Sequence, residues 1–325
     1  MKTTALRQRT MEPRPPATIL DVPLNLRAND INKHIVNVDS RFRDTPANST
    51  SSNFFLTLAA PVRNVLRVRI TSIEFPNNYF ITTTKRRNVS FQILYNNPTP
   101  TTFVLTVPDG NYGACQMEAT INALLDVSGG PLTWLSVAFN EVTGTFTFIG
   151  NQYFAINTTF GSWDRPFDYG LGFNLGFSRA IHPATNSPAA LTTWTVTSDW
   201  CANFAGDSYV FLRLNDYGCV RQTLQVYDTT GRNRLDANGF TALAKIVLRE
   251  PKNYMSFDDY ASQHAKEYVF TTPVDLTRLH IQVLDPYGEI MDLCSAQWSF
   301  SIEVLEIKNL SMYNTIRDSI GLQYV

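Results

Sequence analysis

The sequence predicts a mainly β protein, a sandwich of two sheets with an α+β insertion and an extended N-terminal arm. Three observations lead to this prediction. Apolar and polar residues alternate near both ends of the chain, turn-forming residues separate these segments, and one stretch between them has helical spacing instead. With 325 residues and 44% hydrophobic content, the chain can bury one large β domain with an insertion, or two domains.

The first segment, residues 1–32, predicts an extended arm because it is rich in basic residues and prolines. Its basic residues are dispersed and are interrupted by Glu12 and Asp21, whereas nucleic-acid-binding tails carry dense basic runs. The net charge of the whole chain is only −1. We therefore expect no specific nucleic-acid partner.

Three strands are predicted next, at 35–38, at 54–58 and from 62 to 75, where apolar residues alternate with arginines. The segment between the first two strands is rich in Ser, Thr, Asn and Pro, so it predicts an exposed connection. These strands begin the sandwich, to which we assign residues 33–80 and 207–310.

We assign the α+β insertion and its loops to residues 81–206. Strands are expected at 89–95 and 102–107, a helix at 112–125 from its helical spacing, and a hairpin formed by 132–139 and 145–149. Residues 180–206 predict a long loop region. The glycines in DYGLGFNLGF, residues 168–177, lack the strand and helix of a phosphate-binding loop, and close packing of a turn explains them better.

The remaining strands of the sandwich are predicted between residues 208 and 310, and a C-terminal tail is predicted for 311–325. The five later strands are expected at 209–214, 240–248, 267–271, 279–284 and 298–307. Together with the three early strands they make about eight, which is the count of a single jelly-roll sandwich.

Five segments also carry a family resemblance through their order along the chain. They are IVNVDSRFRD, NFFLTL, VRNVLRVRITSIEFPNNY, FVLTVPDGNYGACQMEATINALL and LHIQVLDPYGEIMDLCSAQWSFSIEVLEI. Their succession resembles the penton and minor capsid proteins, with a single jelly roll, of large icosahedral nucleocytoplasmic DNA viruses.

The resemblance implies a structural protein of the virion capsid that is made in the host cytoplasm. Its implied partners are copies of itself, as a homopentamer at the fivefold vertices, the double jelly-roll major capsid protein, and other minor capsid proteins. The alternative within this family is a minor capsid protein that bridges or cements capsomers beneath the shell. The basic arm is then expected to run along neighbouring subunits as a strap, with Arg7, Arg9 and Arg14 as interface candidates.

Two further interface candidates are Arg41 and Arg43, which can pair with Asp39 and Asp44 at the end of a strand. These four residues form either a local salt-bridge network or a clasp between subunits, because the planar fork of arginine suits desolvated interfaces. The aromatic residues between 153 and 177, Trp163 and Phe167 among them, form either the core of the insertion or an interface anchor. The second alternative function is a carbohydrate-binding β-sandwich, and a host glycan is then the partner.

No enzyme, cofactor or metal site is predicted. The four histidines are isolated from nucleophiles and from metal-ligand spacings. Asp285, Glu289 and Asp292 lack EF-hand spacing and fit a hairpin turn. The four cysteines contain no CxxC pair, and we expect buried free thiols. The sequence shows no apolar run of 18 or more residues and no signal-peptide pattern, so neither secretion nor membrane insertion is expected.

Overall fold

The structure, a computed structural model, describes residues 30–96, 99–127, 130–160, 169–187, 190–222, 226–227, 233–234, 239–250, 254–259 and 267–321. The strands of the first part are β1 Ile31–Asp39, β2 Asn53–Pro76, β3 Ser90–Asn96, β4 Pro100–Thr106, β5 Leu135–Asn140, β6 Thr145–Gly150, β7 Phe154–Asn157, β8 Ile181–Pro183, β9 Thr185–Ser187 and β10 Ala190–Thr197.

The later strands are β11 Tyr209–Leu214, β12 Val220–Gln222, β13 Val226–Tyr227, β14 Asn233–Arg234, β15 Phe240–Ala242, β16 Ala244–Val247, β17 Met255–Asp259, β18 Glu267–Leu284 and β19 Ser299–Ile307. The helices are α1 Ala114–Leu125, α2 Leu171–Asn174 and α3 Leu310–Gly321. The mainly β prediction is confirmed.

The largest sheet joins the two ends of the chain. Its strand order is β1-β19-β2-β18-β11-β16, β17 also pairs with β2, and all these pairings are antiparallel. The long strand β2 bends at Asn64, whose φ of 51° is left-handed and whose N–H donates to Asp275 Oδ1 at 3.0 Å. The register of β18 against β2 shifts between Val269 and Arg278. The bend and the shifts curl this sheet, as expected for a β-sandwich.

The core of the curled sheet forms around Trp298. Its ring stacks on Phe300 at 5.2 Å and meets Phe54 and Phe75 edge-on, and all four side chains are almost fully buried. The indole Nε1–H donates to the backbone carbonyl of Ser51 at 2.6 Å. The polar atom of this buried ring therefore has a partner, as burial requires.

A second core forms within residues 89–196. Two four-stranded sheets surround it, with orders β4-β3-β7-β8 and β5-β6-β10-β9. Helix α1 buries Met117, Ile121 and Leu125, which confirms the helix expected from its spacing. Asn122 fixes α1 to β5, because its amide donates to the carbonyl of Val137 at 2.7 Å and accepts from the N–H of Val137 at 2.9 Å. The proposed domain boundaries stay a prediction.

Three local predictions were wrong. The strands expected at 54–58 and 62–75 are one strand, β2, and those expected at 267–271 and 279–284 are one strand, β18. Each strand bends, with shifts in register, where a break between two strands was expected, so pairing continues through the corner. The loop region expected at 180–206 contains β8, β9 and β10, and the alternation of Trp194 and Val196 with threonines was the missed signal.

Part of the C-terminal tail expected at 311–325 is helical, because α3 spans Leu310–Gly321. Asn309 caps the first turn, since its Oδ1 accepts from the N–H of Met312 at 3.0 Å. Tyr313 is buried against Leu66, Leu305 and Ile307 on the sheet. At the other end, β1 begins at Ile31, inside the segment predicted as arm.

Candidate assembly surface

Strand β1 forms one edge of the largest sheet. Within the described residues it pairs only with β19, and it stands at the end of the strand order. Lys33, Ile35 and Asn37 are exposed on one face, and Ile35 is 71% exposed. On the other face, Val38 is fully buried and Val36 packs partly against the main core. Among the described residues, the backbone groups on the outer side of β1 have no strand partner, and an exposed apolar side chain lies beside them. A sheet edge with these features can pair with a strand of another chain.

Arg41 lies in the chain segment that leaves β1, and Asp39 holds it in place. The guanidinium binds both carboxylate oxygens, with Nε 3.0 Å from Oδ1 and Nη2 2.5 Å from Oδ2. This pairing with Arg41 lowers the pKa of Asp39. The Arg41 side chain remains 66% exposed and lies over the ring of Phe42, itself 73% exposed. The structure therefore presents an oriented arginine and an aromatic ring to solvent.

Arg43 takes a different position from Arg41. Its Nη1 donates to the carbonyl of Ser40 at 2.6 Å and to Gln297 Oε1 at 3.1 Å, which ties this segment to the end of the β18–β19 connection. Asp44 pairs with Arg278 and accepts from Thr57. Within these four residues only Asp39 and Arg41 pair with each other, because Arg43 and Asp44 have the other partners just described. A clasp between subunits stays a prediction.

A stack of three side chains lies on the outer surface where β2 meets β18. The rings of Phe55 and His280 are parallel within 13° with centroids 4.2 Å apart, and the guanidinium carbon of Arg278 also lies 4.2 Å from the Phe55 centroid. Both groups therefore contact the same aromatic ring. Burial, Arg213 and Arg278 lower the pKa of His280. Sequence reasoning missed this stack.

The joint between the two cores contains a buried ion pair. Arg86 Nη2 lies 2.5 Å from Asp207 Oδ2 and 3.8 Å from Asp285 Oδ2. The guanidinium also lies over the ring of Tyr79, whose hydroxyl accepts from the N–H of Asp207 at 3.0 Å. Burial raises the pKa of Asp285 and of the Tyr79 hydroxyl. A cavity of about 470 Å³ borders this joint, lined in part by Lys85.

A second ion network crosses the outer face of the sheet. Glu303 of β19 accepts from Arg67 at 3.0 Å and from Arg69 at 3.2 Å, both on β2, and Arg67 also lies 3.6 Å from Glu267 of β18. The four side chains are only 11 to 23% exposed. Arg67 and Arg69, which alternate with apolar residues in β2, therefore form ion pairs with carboxylates on neighbouring strands of the same sheet.

The glycines of residues 168–177 fill tight spaces, as the sequence suggested. A Cβ on Gly172 would lie 2.4 Å from the Thr158 side chain, and a Cβ on Gly176 would lie 2.1 Å from the carbonyl oxygen of Trp200. Gly176 also has a φ of 91°. These contacts favour close packing over phosphate binding.

The acidic segment after β18 forms a turn. Asp285 Oδ1 accepts from the N–H groups of Tyr287 and Glu289, each at 2.9 Å. In the described part of the chain, no group of three or more His, Cys, Asp or Glu side chains is arranged to hold a metal ion.

The histidines of the described residues make individual contacts. His34 Nε2 lies 2.6 Å from Glu306 Oε2, and this contact lowers the pKa of Glu306. His182 Nε2 lies 3.0 Å from the carbonyl of Ser178, and His280 Nε2 lies 2.9 Å from Asn53 Oδ1. His264 lies outside the described residues.

The expectation of buried thiols was wrong. Cys115, Cys201, Cys219 and Cys294 are all free, and each is an exposed residue. They lie on a helix surface or in connections between strands, whereas the cores are filled by aromatic and branched side chains.

Five of the predicted interface residues, Arg7, Arg9, Arg14, Trp163 and Phe167, lie outside the described residues. Of the seven candidates, the structure therefore locates Arg41 and Arg43, and it brings both to the connection that follows the edge strand β1. No helix in the described ranges is long and apolar enough to cross a membrane.

Comparison with known proteins found similarity among solved structures. No family model matches the sequence, and no curated protein matches it. The crystal structure of the selenomethionine-labelled penton protein of mavirus is similar over 85% of this chain and 98% of that chain, at 12% sequence identity and a TM-score of 0.37.

Proposed function

We propose that this protein is a structural subunit of an icosahedral virus capsid and that five copies form the capsomer at a fivefold vertex. The observation that carries this proposal is the pairing order of the largest sheet, which fits a single jelly roll. Such a fold is a common building block of viral capsids. The sequence resemblance to penton and minor capsid proteins is the second support.

The jelly-roll assignment depends on counting each long, bent strand twice. The first half of β2 pairs with the second half of β18, which continues to β11 and β16. The second half of β2 pairs with β19, β17 and the first half of β18, and β19 continues to β1. β17 and the first half of β18 pair with β2 on the same side, opposite β19, and together count as the sixth strand. In chain order, one sheet then places the first strand beside the eighth, third and sixth, and the other places the second beside the seventh, fourth and fifth.

Parts of three of the five segments that carry the sequence resemblance are neighbours in this arrangement. The segment IVNVD belongs to β1, and SFSIEVLEI belongs to β19, its neighbour in the sheet. VLRVRITSIEF belongs to β2, the next strand. Residues distant in sequence thus build one contiguous half of the sandwich, as expected if their order reflects a shared fold.

The proposed mode of action is packing between subunits. The edge strand β1, the exposed Arg41 and Phe42, and the stack of Phe55, His280 and Arg278 offer contacts of the kind found in interfaces, which are enriched in arginine and aromatic residues. We propose no catalytic role. The double jelly-roll major capsid protein and other minor capsid proteins are the partners proposed for the outer sides of the capsomer.

The native mass of the purified chain tests this function. Light scattering across a concentration series is expected to give a species of about five times the chain mass of 36.7 kDa. A monomer that becomes ordered only with the major capsid protein would instead support a minor capsid protein beneath the shell. A monomer indifferent to that partner would contradict both capsid roles.

A carbohydrate-binding module is the second candidate, and one observation favours it. Tyr153 is 44% exposed and meets the Trp194 ring edge-on at 5.2 Å, on the surface of the insertion. Exposed aromatic rings can stack on sugars. Binding of a glycan by the isolated monomer, lost on Tyr153→Ala, would favour this alternative over the capsomer.

A further inference from the structure

We propose that the free edge of β1 accepts residues 18–26 of a neighbouring copy as an added antiparallel strand. This inference rests on the proposed function, since it needs copies in contact. It specifies which segment of the arm is inserted, which edge receives it and in which register.

The receiving edge is incomplete in two respects. No other described strand pairs with the outer side of β1, so the alternate N–H and C=O groups on that side have no strand partner among the described residues. Ile35 is 71% exposed on one face of this edge, and Val36 on the other face is only partly covered by the core. A further strand would satisfy the backbone groups and cover both side chains.

The donated segment has the pattern of a strand. In the sequence TILDVPLNL, residues 18–26, Leu20, Val22, Leu24 and Leu26 alternate with Asp21, Pro23 and Asn25. This period of two gives one apolar and one mainly polar face. In the register given below, Pro23 lies opposite Ile31 at the end of the added ladder, where its missing N–H removes one terminal hydrogen bond, and proline is tolerated at the end of an edge strand.

One antiparallel register places opposite charges across from each other and also places apolar residues across from each other. When Asp21 lies opposite Lys33, Ile19 lies opposite Ile35, and both pairs fall on the exposed face of β1. The acid would then meet an exposed base, and the exposed isoleucine would be covered by another. Leu20 and Val22 would lie on the other face, beside the rim of the main core.

The donor and the acceptor strand must lie close together. Leu26 precedes Ile31 by five positions, which an extended chain spans in at most about 17 Å. A copy can therefore reach only an adjacent edge. If each copy gives its segment to one neighbour and accepts from another, the contacts are head-to-tail and can close into a ring.

Photo-cross-linking of the full-length chain tests this proposal. The variant Ile35→p-benzoylphenylalanine is mixed in equal amounts as ¹⁵N-labelled and unlabelled protein, assembled and irradiated. Mass spectrometry is expected to find residue 35 joined to residues 17–27. Many of these cross-links should join a ¹⁵N-labelled chain to an unlabelled one. The same substitution at Val142, which is 95% exposed in the insertion, is the matched control and should not reach the arm.

The alternative outcomes are distinct. If residue 35 is cross-linked only to arm residues that carry the same isotopic label, each arm folds back on the β1 edge of its own chain. If residue 35 is cross-linked to residues outside the arm, the edge has another occupant. Either result overturns the inference, and an assembly of pentamer mass in the same sample would leave the proposed function intact. Absence of any assembly would contradict both.

A charge exchange tests the register. Asp21→Lys and Lys33→Asp should each weaken assembly by roughly two- to fivefold, the range of an exposed ion pair, and the double variant should recover the original affinity. Glu12→Lys, which changes the charge of the arm outside the segment, should leave assembly unchanged if the segment is correctly chosen. Failure of the double variant to recover would overturn the register.

Discussion

Arg86 and Asp207 form a buried ion pair although 121 residues separate them in sequence. Arg86 precedes the strands of the insertion and Asp207 follows them, so the pair closes the insertion at its base. Their side chains are 14% and 12% exposed. Burial disfavours the charged guanidinium, but the attraction of Asp207 outweighs it, and the pKa of Arg86 is raised above its ordinary value.

The first prediction concerns this pair. Arg86→Ala should lower the free energy of unfolding by about 3–5 kcal/mol, because it leaves Asp207 and Asp285 buried without their cation. Chemical denaturation measures this loss. Lys85→Ala, at an exposed neighbouring position, is the control and should have little effect. Equal stability of the two variants would show that the pair does not hold the joint.

Gly176 provides the second prediction. Gly176→Ala should cost more than about 2 kcal/mol of stability, since its φ of 91° disfavours a side chain and the new Cβ would meet the Trp200 carbonyl. Gly113→Ala is the matched control, because its φ is −82° and the nearest atom to a new Cβ is 3.7 Å away. Thermal unfolding of both variants compares the costs. A neutral Gly176→Ala variant would contradict this packing.

The third prediction is a pH dependence caused by His280. The pKa of His280 is lower in the folded protein than in the unfolded chain, mainly through burial. Between the two pKa values the unfolded state binds more protons, so stability should fall as the pH drops from about 7 to about 5. His280→Gln should reduce this slope, as measured by urea titrations at several pH values. An unchanged slope would mean that His280 protonates equally well in both states.

The fourth prediction concerns thiol reactivity. Cys219 is an exposed residue, but the surroundings of its Sγ, which donates to the Glu267 carbonyl at 2.6 Å, desolvate the thiol and raise its pKa to about 11. At pH 8, Cys219 should therefore react with a maleimide more slowly than Cys294, which is also exposed, because the thiolate is the nucleophile. Peptide mass spectrometry after timed labelling measures both rates. Faster labelling of Cys219 would contradict its raised pKa.

Alternation and helical spacing were sufficient to predict most strands and helix α1. These patterns report which face of an element is buried, and Met117, Ile121 and Leu125 lie where the spacing places them. The spacing could not distinguish a bend from a turn. At Asn64 the chain bends through a left-handed residue supported by Asp275, a partner from a distant strand.

The contacts at the joint and on the sheet surface were not predictable from the sequence. Arg86 lies in a run of three basic residues, and nothing local distinguishes the one that becomes buried. Phe55 and His280 were recognisable as strand residues, but their stacking depends on a register set by the bulges of β18. Sequence patterns indicate which face of a strand or helix is buried. Sites formed by distant segments depend instead on how the strands pair.

The pairing of β2 determines the order in which a newly made chain can fold. Among the described residues, the buried members of the second core lie within 89–196, and Ala202 and Phe204 pack against them, so the insertion can fold once residues up to 204 have left the ribosome. Strand β2 must wait for β18 and β19, more than 190 residues further along the chain. The sandwich can therefore close only after residue 307 has been made, and until then a nascent chain cannot offer a finished β1–β19 edge to another copy.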